Sequence, residues 1–308
     1  MHDGRVQLPP EVRAYAGRGP AWAAWVERLP ALVEELAEEW SLRADAPLTW
    51  GSCSVVLPGS CDGVPAVLKV AFPDEESEHE ALALQRWGGR GAARLLRADP
   101  HRRALLAERL EARDLGELWD VEACEIVGDL YRSLHVAAPP QLRTLTAYVE
   151  PTLLALAGLD RSAPLPHRLV AQAVAVGRDL LGDAGAVGTL IHTDLHYDNV
   201  LASSRADEPG WLAIDPKPLS GDPHYEVAPL LWNRWDEIVA SGSIRDGVRR
   251  RFHAAIDAAL LDEDRARDWV VVRVLQNALW AIQEPDTDPS ARKDWLTTCV
   301  SIAKAVHE

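Results

Sequence analysis

Two periodicities divide the chain into a part rich in strands and a part rich in helices. From Ala21 to Trp40 the apolar residues recur at helical spacing, and Pro30 predicts that this segment splits into two short helices. Residues 48–72 instead hold two apolar, β-branched runs on either side of a turn signal at residues 60–64, which predicts a β-hairpin. Residues 1–20 are rich in Gly, Pro and Arg, so we expect a loosely ordered lead-in.

The segment that follows the hairpin changes from acidic to apolar. Residues 73–87 therefore predict a helix whose negatively charged first turn suits the helix dipole, and Gly88 to Gly91 end it. Residues 92–96 and 104–110 predict two more strands around an Asp-Pro turn.

Helical spacing dominates the rest of the chain. Residues 124–135 are amphipathic, and residues 144–182 carry helical patterns that break at two prolines. Residues 243–308 are helical again, and the nearly continuous apolar run at residues 270–282 predicts a buried helix.

The order of these elements predicts the fold class and the domains. About five strands with one helix, followed mainly by helices, indicate an α+β protein with two lobes. We expect a small β-rich lobe with N-terminal helices at residues 1–110 and a larger, mainly helical lobe at residues 111–308. A chain of 308 residues is long enough for two domains of about 100–200 residues each.

Composition narrows the class of protein. The formal charge of −15, from 32 basic and 47 acidic residues, disfavours nucleic acid as a partner and suits a cationic substrate. The N-terminus has no apolar core of a secretory signal, and no run approaches the ~18 apolar residues that span a bilayer. The four cysteines form no CxxC pair. We expect a cytoplasmic protein without a membrane partner, and the sequence leaves its oligomeric state open.

The chemistry is concentrated between Thr189 and Asp222. A short apolar run ends at Ile191 and is followed by His192, Asp194, His196, Asp198 and Asn199, while a second run, residues 211–214, delivers Asp215. We expect two neighbouring buried strands that carry these side chains at their tips. The order H-x-D-x-x-x-x-N followed by an Asp on the next strand is typical of kinases. Any one of these residues alone could be a turn residue, so the interpretation depends on the joint pattern.

Phosphoryl transfer accounts for this set of residues. It needs a carboxylate facing the attacking hydroxyl, which we assign to Asp194, and oxygen ligands for Mg²⁺ against the phosphates of ATP, which we assign to Asn199 and Asp215.

Lys69 lies inside the apolar run of residues 67–70. It is either an edge-strand lysine that points to solvent or the lysine that holds the ATP phosphates and pairs with a helical Glu. We predict Glu80 as that partner, with Glu76 as the alternative. The small residues 51–54 either close over phosphates through their backbone N–H groups or form an ordinary turn.

The stretches HTDLHYDNVL and WLAIDPKPLSGDPHYEVAPLLWNRWD resemble the aminoglycoside/hydroxyurea phosphotransferases, and we judge that the resemblance covers residues 20–285. It implies a bilobal, protein-kinase-like fold and an ATP- and Mg²⁺-dependent kinase that phosphorylates a hydroxyl of a small molecule. The substrate that it implies first is streptomycin, at the 6-hydroxyl and with antibiotic resistance as the result, followed by hydroxyurea or another small metabolite.

The resemblance also implies roles for particular residues. Asp194 would be the catalytic carboxylate, Asn199 and Asp215 would hold Mg²⁺, and Lys69 with Glu80 would bind the ATP phosphates. Further residues would form the hinge that contacts adenine, namely Glu108, Arg109 and Leu110. Others would face the cationic substrate or, alternatively, serve as helix caps and surface charges, namely Asp222, Glu226, Asn233 and Asp236.

The chain also departs from protein kinases. Thr193 replaces the Arg that follows the catalytic His, the metal-binding Asp215 lies in IDP rather than DFG, and no activation-loop signature follows. These features favour a small-molecule acceptor over a protein. Lys217 stands where we expect an acid in streptomycin kinases, which leaves the substrate open unless the position is only structural. A catalytically silent kinase-fold binding protein is disfavoured because the Lys, Asp and Asn are all present.

Overall fold

The computed structural model describes residues 6–205, 210–284 and 288–307. They form two compact units. The first unit runs to Glu111 and takes in the segment that starts at Ser203, and the second begins at Ala112, runs to Ala202 and resumes at Gly210. No described helix is both long and apolar enough to cross a lipid bilayer.

The first unit is an antiparallel sheet with helices. Its sheet has the order β1-β3-β4-β6-β5, and β2 pairs with β3. The strands are β1 (Leu42–Ala44), β2 (Thr49–Trp50), β3 (Ser54–Cys61), β4 (Val64–Ala71), β5 (Leu95–Asp99) and β6 (Ala104–Glu108). The helices are α1 (Pro10–Ala14), α2 (Pro20–Glu39) and α3 (Glu80–Trp87).

The predicted hairpin is confirmed as β3 and β4. Their register runs from Ser54 opposite Ala71 to Cys61 opposite Val64, so Asp62 and Gly63 form a two-residue turn. Both turn residues have positive φ, 53° and 81°. An Asp-Gly turn of this kind matches the twist of the two strands that it joins.

The N-terminal segment is more regular than predicted. α2 is one continuous helix with Pro30 inside it, so the prediction of two short helices is wrong. Leu29 and Val33, on either side of Pro30, are buried in the core against the sheet. Their burial outweighs the one backbone hydrogen bond that a proline removes. The described part of the predicted lead-in also forms α1 and buries Val12 and Tyr15, while residues 1–5 lie outside the described residues.

Two other boundaries differ from the prediction. The helix predicted for residues 73–87 begins only at Glu80, because a turn precedes it in which the Asp74 carboxylate accepts the Ser77 N–H at 2.7 Å. The strand predicted for residues 92–96 is β5, which begins at Leu95.

The second unit is mainly helical, with short strands. The helices are α4 (Asp120–Leu134), α5 (Leu145–Ala157), α6 (His167–Gly182), α7 (Ala228–Trp232), α8 (Trp235–Ala240), α9 (Ile244–Ala259), α10 (Glu263–Gln283) and α11 (Pro289–His307). The strands are β7 (Val136–Ala137), β8 (Thr189–Ile191), β9 (Val200–Ala202), β10 (Trp211–Ala213) and β11 (Leu219–Gly221). The predicted buried helix is confirmed as the C-terminal part of α10.

The strands that carry the polar residues are not neighbours, and this prediction is wrong. β8 pairs with β11 and β7, whereas β10 pairs only with β9. Two connections run between these small sheets. Residues 192–199, which we predict to be the catalytic loop and call by that name below, join β8 to β9, and residues 214–218 join β10 to β11. Because Ile191 pairs with Leu219 and Val200 with Ala213, the two connections lie side by side.

Candidate active site

In the first unit, Lys69 forms a buried ion pair with Glu80. Lys69 lies on β4, between β3 and β6, and its Nζ is 2.7 and 2.8 Å from the two carboxylate oxygens of Glu80. Both side chains are buried. Glu80 is therefore the partner, as predicted over Glu76, and it stands in the first turn of α3, where a negative charge is favoured.

The predicted hinge is fastened within its own unit. The carboxylate of Glu108 accepts hydrogen bonds from the Arg205 guanidinium and from the backbone N–H of Arg94, at 3.0 and 2.6 Å. Burial raises the pKa of Glu108, but the hydrogen bonds from Arg205 and Arg94 outweigh it and lower the pKa. The backbone N–H of Glu108 donates to Arg94 and that of Arg109 to Pro65, so neither can donate to a ligand.

Glu226 fixes the start of the catalytic loop. Its Oε1 accepts the backbone N–H groups of His192 and Thr193 at 2.6 and 2.7 Å, and its Oε2 lies 2.6 Å from Nε2 of His135. With every carboxylate oxygen occupied and the side chain buried, Glu226 is a support for the loop and is not placed to face a substrate.

His192 lies behind the loop in the protein interior. Its Nε2 is 2.9 Å from the carbonyl of Ile214, and its Nδ1 accepts the backbone N–H of Asp194 at 3.3 Å. Burial lowers the pKa of His192 in spite of the nearby carboxylates, so the ring is neutral at pH 7. A neutral ring with the proton on Nε2 satisfies both contacts and joins the two connections.

Two residues of the site have left-handed backbone conformations. The φ angles are +65° at Thr193 and +55° at Asp215. This conformation is rare for a β-branched residue such as Thr, and such strain persists only where the surroundings enforce it. Here the Thr193 hydroxyl donates to the carbonyl of Lys217 at 2.6 Å, and the Lys217 N–H donates to the carbonyl of His192 at 3.0 Å. These two hydrogen bonds hold the strained backbone at Thr193, directly before Asp194, against the neighbouring connection at Lys217.

Two of the three predicted catalytic and metal-binding residues, Asp194 and Asn199, are linked directly in the second unit, and Asp215 follows a residue that is bonded to Asn199. Asn199 donates through Nδ2 to the carbonyl of Asp194 at 2.8 Å. The backbone carbonyl of Asn199 accepts the N–H of Ile214 at 2.9 Å, and Ile214 directly precedes Asp215. The Asp194 carboxylate is partly exposed and lies 3.0 Å from Nζ of Lys217.

The donor set fits Mg²⁺ rather than a metal held by a full protein cage. In the described part of the chain, no three His, Cys, Asp or Glu side chains form a metal cluster. Asn199 uses its Nδ2 for Asp194, so its amide oxygen remains for a cation, and Asp215, in the connection beside the loop, is the predicted carboxylate ligand. Mg²⁺ keeps several waters and is commonly bound by one or two carboxylates together with substrate phosphates.

The remaining residues predicted to face a substrate do not present free carboxylates to a cavity. Asp222 is 1% exposed, and its carboxylate is bonded to His224, Arg265 and Trp269, each at 2.6 Å. Burial raises the pKa of Asp222, but the hydrogen bonds from His224 and Trp269 lower it below the usual value. This network joins α10 to the turn after β11, which gives Asp222 a structural role.

Asn233 and Asp236 lie near the end of α7 and the start of α8. The Asn233 amide oxygen accepts the Tyr197 N–H of the catalytic loop at 3.3 Å. Asp236 is exposed. Among the described residues, neither side chain belongs to the wall of the cavity that contains Asp194.

A cavity of about 540 Å³ opens beside Asp194 within the second unit. Three tryptophans form much of its wall, Trp232, Trp280 and Trp295, and the rings of Trp232 and Trp295 meet edge to face at 5.8 Å. Polar groups also line it, namely Arg273, Asn277, Glu284 and Arg292.

These wall residues were not predicted as site residues. The polar Arg273, Gln276 and Asn277 within the apolar stretch of α10 were the available signal, because an unpaired polar group is costly in a buried helix. Arg273 also donates to the hydroxyl of Tyr225, which is a structural contact. The many tryptophans of the chain were an ambiguous signal, because tryptophan occurs both in protein cores and in the walls of pockets. Their convergence depends on how α7, α10 and α11 pack, which a local pattern does not encode.

Comparison with known proteins decides the family. Residues 39–284 match the family model described as aminoglycoside/hydroxyurea antibiotic resistance kinase. The chain belongs to this family. It is 41% identical over 298 residues to a streptomycin 6-kinase from Streptomyces glaucescens, covering 93% of this chain and 95% of that relative. It is 39% identical over 292 residues to a hydroxyurea phosphotransferase from Kitasatospora aureofaciens, covering 91% of this chain and 81% of that relative.

A solved structure supports the same conclusion for the fold. A thermostable mutant of aminoglycoside phosphotransferase APH(4)-Ia, in a ternary complex with ADP and hygromycin B, matches with a TM-score of 0.57 at 17% identity, covering 89% of this chain and 98% of that chain. The predicted α+β, protein-kinase-like fold is confirmed. As a member of the aminoglycoside/hydroxyurea kinase family, the protein is a phosphotransferase that acts on a hydroxyl group.

Proposed function

We propose that this kinase uses ATP and Mg²⁺ to phosphorylate streptomycin at its 6-hydroxyl, and thereby confers resistance in the cytoplasm. The observation that carries the proposal is the position of Asp194 in the wall of a tryptophan-lined cavity. The identity to a streptomycin 6-kinase over nearly the whole chain supports the choice of acceptor.

The cavity favours a large cationic acceptor over a small neutral one. Its volume of about 540 Å³ lies within the range of roughly 300–1,000 Å³ that is usual for ligand pockets. The Trp232 and Trp295 rings can attract the guanidinium and ammonium groups that streptomycin carries, and the carboxylates of Asp194 and Glu284 offset the wall arginines Arg273 and Arg292, of which Arg273 already lies over the Trp280 ring at 5.6 Å. Hydroxyurea is far smaller than this cavity and would leave most of it to water.

We assign nucleotide binding to the lobe of residues 1–110 and acceptor binding with catalysis to residues 111–308. Lys69, held by Glu80, would contact the phosphates. In the hinge, the backbone of Leu110 is the best candidate for contact with adenine, because the N–H groups of Glu108 and Arg109 are already bonded. Asn199 and Asp215 would hold Mg²⁺, which supplies charge neutralisation on the phosphates.

The chain's own residues then position a direct, in-line transfer. Asp194 accepts a hydrogen bond from the acceptor hydroxyl and orients its oxygen toward the terminal phosphorus of ATP. A new bond forms between this oxygen and phosphorus while the bond to the leaving oxygen breaks, and that electron pair stays on ADP. The hydroxyl proton passes to Asp194 and then to water. Glu226, His192 and Thr193 keep the loop in place.

The test is turnover of purified enzyme with MgATP and an acceptor panel of streptomycin, hydroxyurea and other aminoglycosides. Release of ADP is measured together with the mass of the product. We expect the highest kcat/KM with streptomycin. A higher kcat/KM with hydroxyurea contradicts the proposed acceptor, and MgATP binding without transfer to any acceptor contradicts catalysis and favours a silent binding protein.

A further inference from the structure

Lys217 reaches the catalytic carboxylate from the neighbouring connection. Its Nζ lies 3.0 Å from Oδ2 of Asp194, with side-chain exposures of 39% for Lys217 and 25% for Asp194. An ion pair this open to solvent contributes little to folding stability. Its location beside the reacting groups therefore points to a role in chemistry rather than in stability.

The backbone of Lys217 is fixed independently of that ion pair. Its N–H donates to the carbonyl of His192 at 3.0 Å, and its carbonyl accepts the hydroxyl of Thr193 at 2.6 Å. The Cα of Lys217 is therefore held against the first two residues of the catalytic loop. The ammonium group therefore reaches Asp194 from a backbone position that does not depend on the ion pair.

The choice of lysine at this position is unusual for this chain. Of its 32 basic residues, only Lys69, Lys217, Lys293 and Lys304 are lysines, and all the others are arginines. One of these four is the buried partner of Glu80 at the predicted phosphate site. An ammonium is a compact point charge with three donors, whereas a guanidinium is a broad planar fork. Position 217 thus carries the more compact of the two cations.

We propose that Lys217 is a catalytic cation that contacts a non-bridging oxygen of the phosphoryl group during transfer while it holds Asp194 toward the acceptor. This inference rests on the proposed phosphotransfer at Asp194. The transferred group carries negative charge on its peripheral oxygens, and a positioned cation stabilises that charge in the transition state. Lys217 stays protonated throughout. The phosphoryl group passes from ADP oxygen to acceptor oxygen, and the acceptor proton leaves through Asp194.

The test separates the effect of the Lys217 charge from the effect of its side-chain packing. Lys217→Met removes the charge and keeps most of the side-chain volume, and Lys217→Cys can be alkylated with 2-bromoethylamine to restore an ammonium at nearly the same length. Wild-type enzyme treated in the same way controls for reaction at the other cysteines. Lys304→Met, an exposed lysine on α11, is the matched control.

We expect Lys217→Met to lower kcat by about 100-fold or more, as for the loss of a transition-state donor, with KM for MgATP and acceptor within about threefold. Alkylated Lys217→Cys should recover most of the lost kcat, Lys217→Arg should recover less, and Lys304→Met should match wild type. Equal melting temperatures establish that the variants are folded. Retention of kcat in Lys217→Met, a change confined to KM, or no rescue by alkylation overturns the proposal.

The kcat values of the Lys217 variants are measured with the acceptor that the wild type phosphorylates best. If the wild type phosphorylates none, ADP release by transfer to water is measured instead. An enzyme inactive with streptomycin but active with another acceptor contradicts the proposed substrate, while the prediction for Lys217 is then decided on that acceptor. A wild type that releases no ADP under any of these conditions contradicts both.

Discussion

At the scale of single residues, the site depends on carboxylates whose roles differ although their residue types are the same. Asp194 is partly exposed beside a cavity, whereas Glu226 is buried and bonded on both oxygens. Asp222 is likewise enclosed by three donors. Burial and bonding thus separate Asp194, the carboxylate that we propose for the reaction, from the two that support the structure.

Replacing Glu226 should weaken catalysis through the loop. In Glu226→Gln, one carboxylate oxygen becomes an NH2 group, which cannot accept a hydrogen bond. The variant therefore loses either the contact with His135 or the two backbone N–H bonds. We expect kcat to fall by about 10- to 100-fold with little change in KM, because hydrogen bonds to a charged group contribute about 1.5–3 kcal/mol each. Steady-state kinetics with both substrates measures this. An unchanged kcat would show that the loop does not need this support.

At the scale of elements, buried ion pairs connect helices. Arg251 on α9 is fully buried and donates through Nε to the carboxylate of Asp120 on α4 at 3.0 Å. It also donates to the carbonyl of Asn233 after α7. Burial raises the pKa of Asp120, but the hydrogen bond and the charge of Arg251 outweigh it and lower the pKa.

The lowered pKa of Asp120 makes stability depend on pH. A depressed pKa contributes stability above the unfolded value of about 3.9, and that contribution is lost as the pH falls through the folded pKa. Asp120→Asn removes the nearer carboxylate from buried Arg251, which keeps Glu237 at 3.7 Å, so we expect a loss of about 1.5–3 kcal/mol at pH 7. The difference from wild type should shrink below about pH 4. Denaturant unfolding at pH 7 and pH 3 measures it, and a pH-independent difference contradicts the assignment.

Pro30 offers a test of α2. A proline inside a helix lacks an N–H and leaves one carbonyl of the preceding turn without its helical partner. Pro30→Ala should therefore raise stability by about 1 kcal/mol, or more if little packing is lost. Thermal unfolding measures this change, with the neighbouring exposed Ala31→Gly as the opposite control. A lower melting temperature for Pro30→Ala would show that proline packing matters more than the hydrogen bond.

At the scale of the whole molecule, local sequence patterns predicted the features that depend on short stretches of the chain, such as motif spacings and turns. The spacing from Asp194 to Asn199 and the lysine within an apolar strand indicated a kinase, and Asp62-Gly63 matches a hairpin turn. The sheet membership of β8 and β10 was not predictable, because three-residue strands carry no pairing signal. Burial of Asp222 and Glu226 was not predictable either, since most of their partners lie far away in sequence, Arg265 and Trp269 for Asp222 and His135 and His192 for Glu226.

We propose that the cavity beside Asp194, which several helices form together, determines the acceptor. We expect Trp295→Ala to raise KM for streptomycin by about tenfold and to leave KM for MgATP unchanged, because a cation–π contact contributes up to about 2 kcal/mol when desolvated. Trp119, which is 65% exposed and lies outside the cavity wall, provides the matched control as Trp119→Ala. Equal KM values for the two variants would place the acceptor elsewhere.

The most direct measurement of the central claim is the fate of the terminal phosphate. Wild type and Asp194→Asn, matched in size and expected to fold alike, are incubated with ATP labelled at the terminal phosphate, Mg²⁺ and streptomycin, and the product is analysed by mass and by phosphorus–proton NMR correlation. We expect wild type to yield one phosphate ester, at the 6-hydroxyl, and Asp194→Asn to yield it at least about 1,000 times more slowly. Unmodified streptomycin with wild type, or full transfer by Asp194→Asn, would contradict the account.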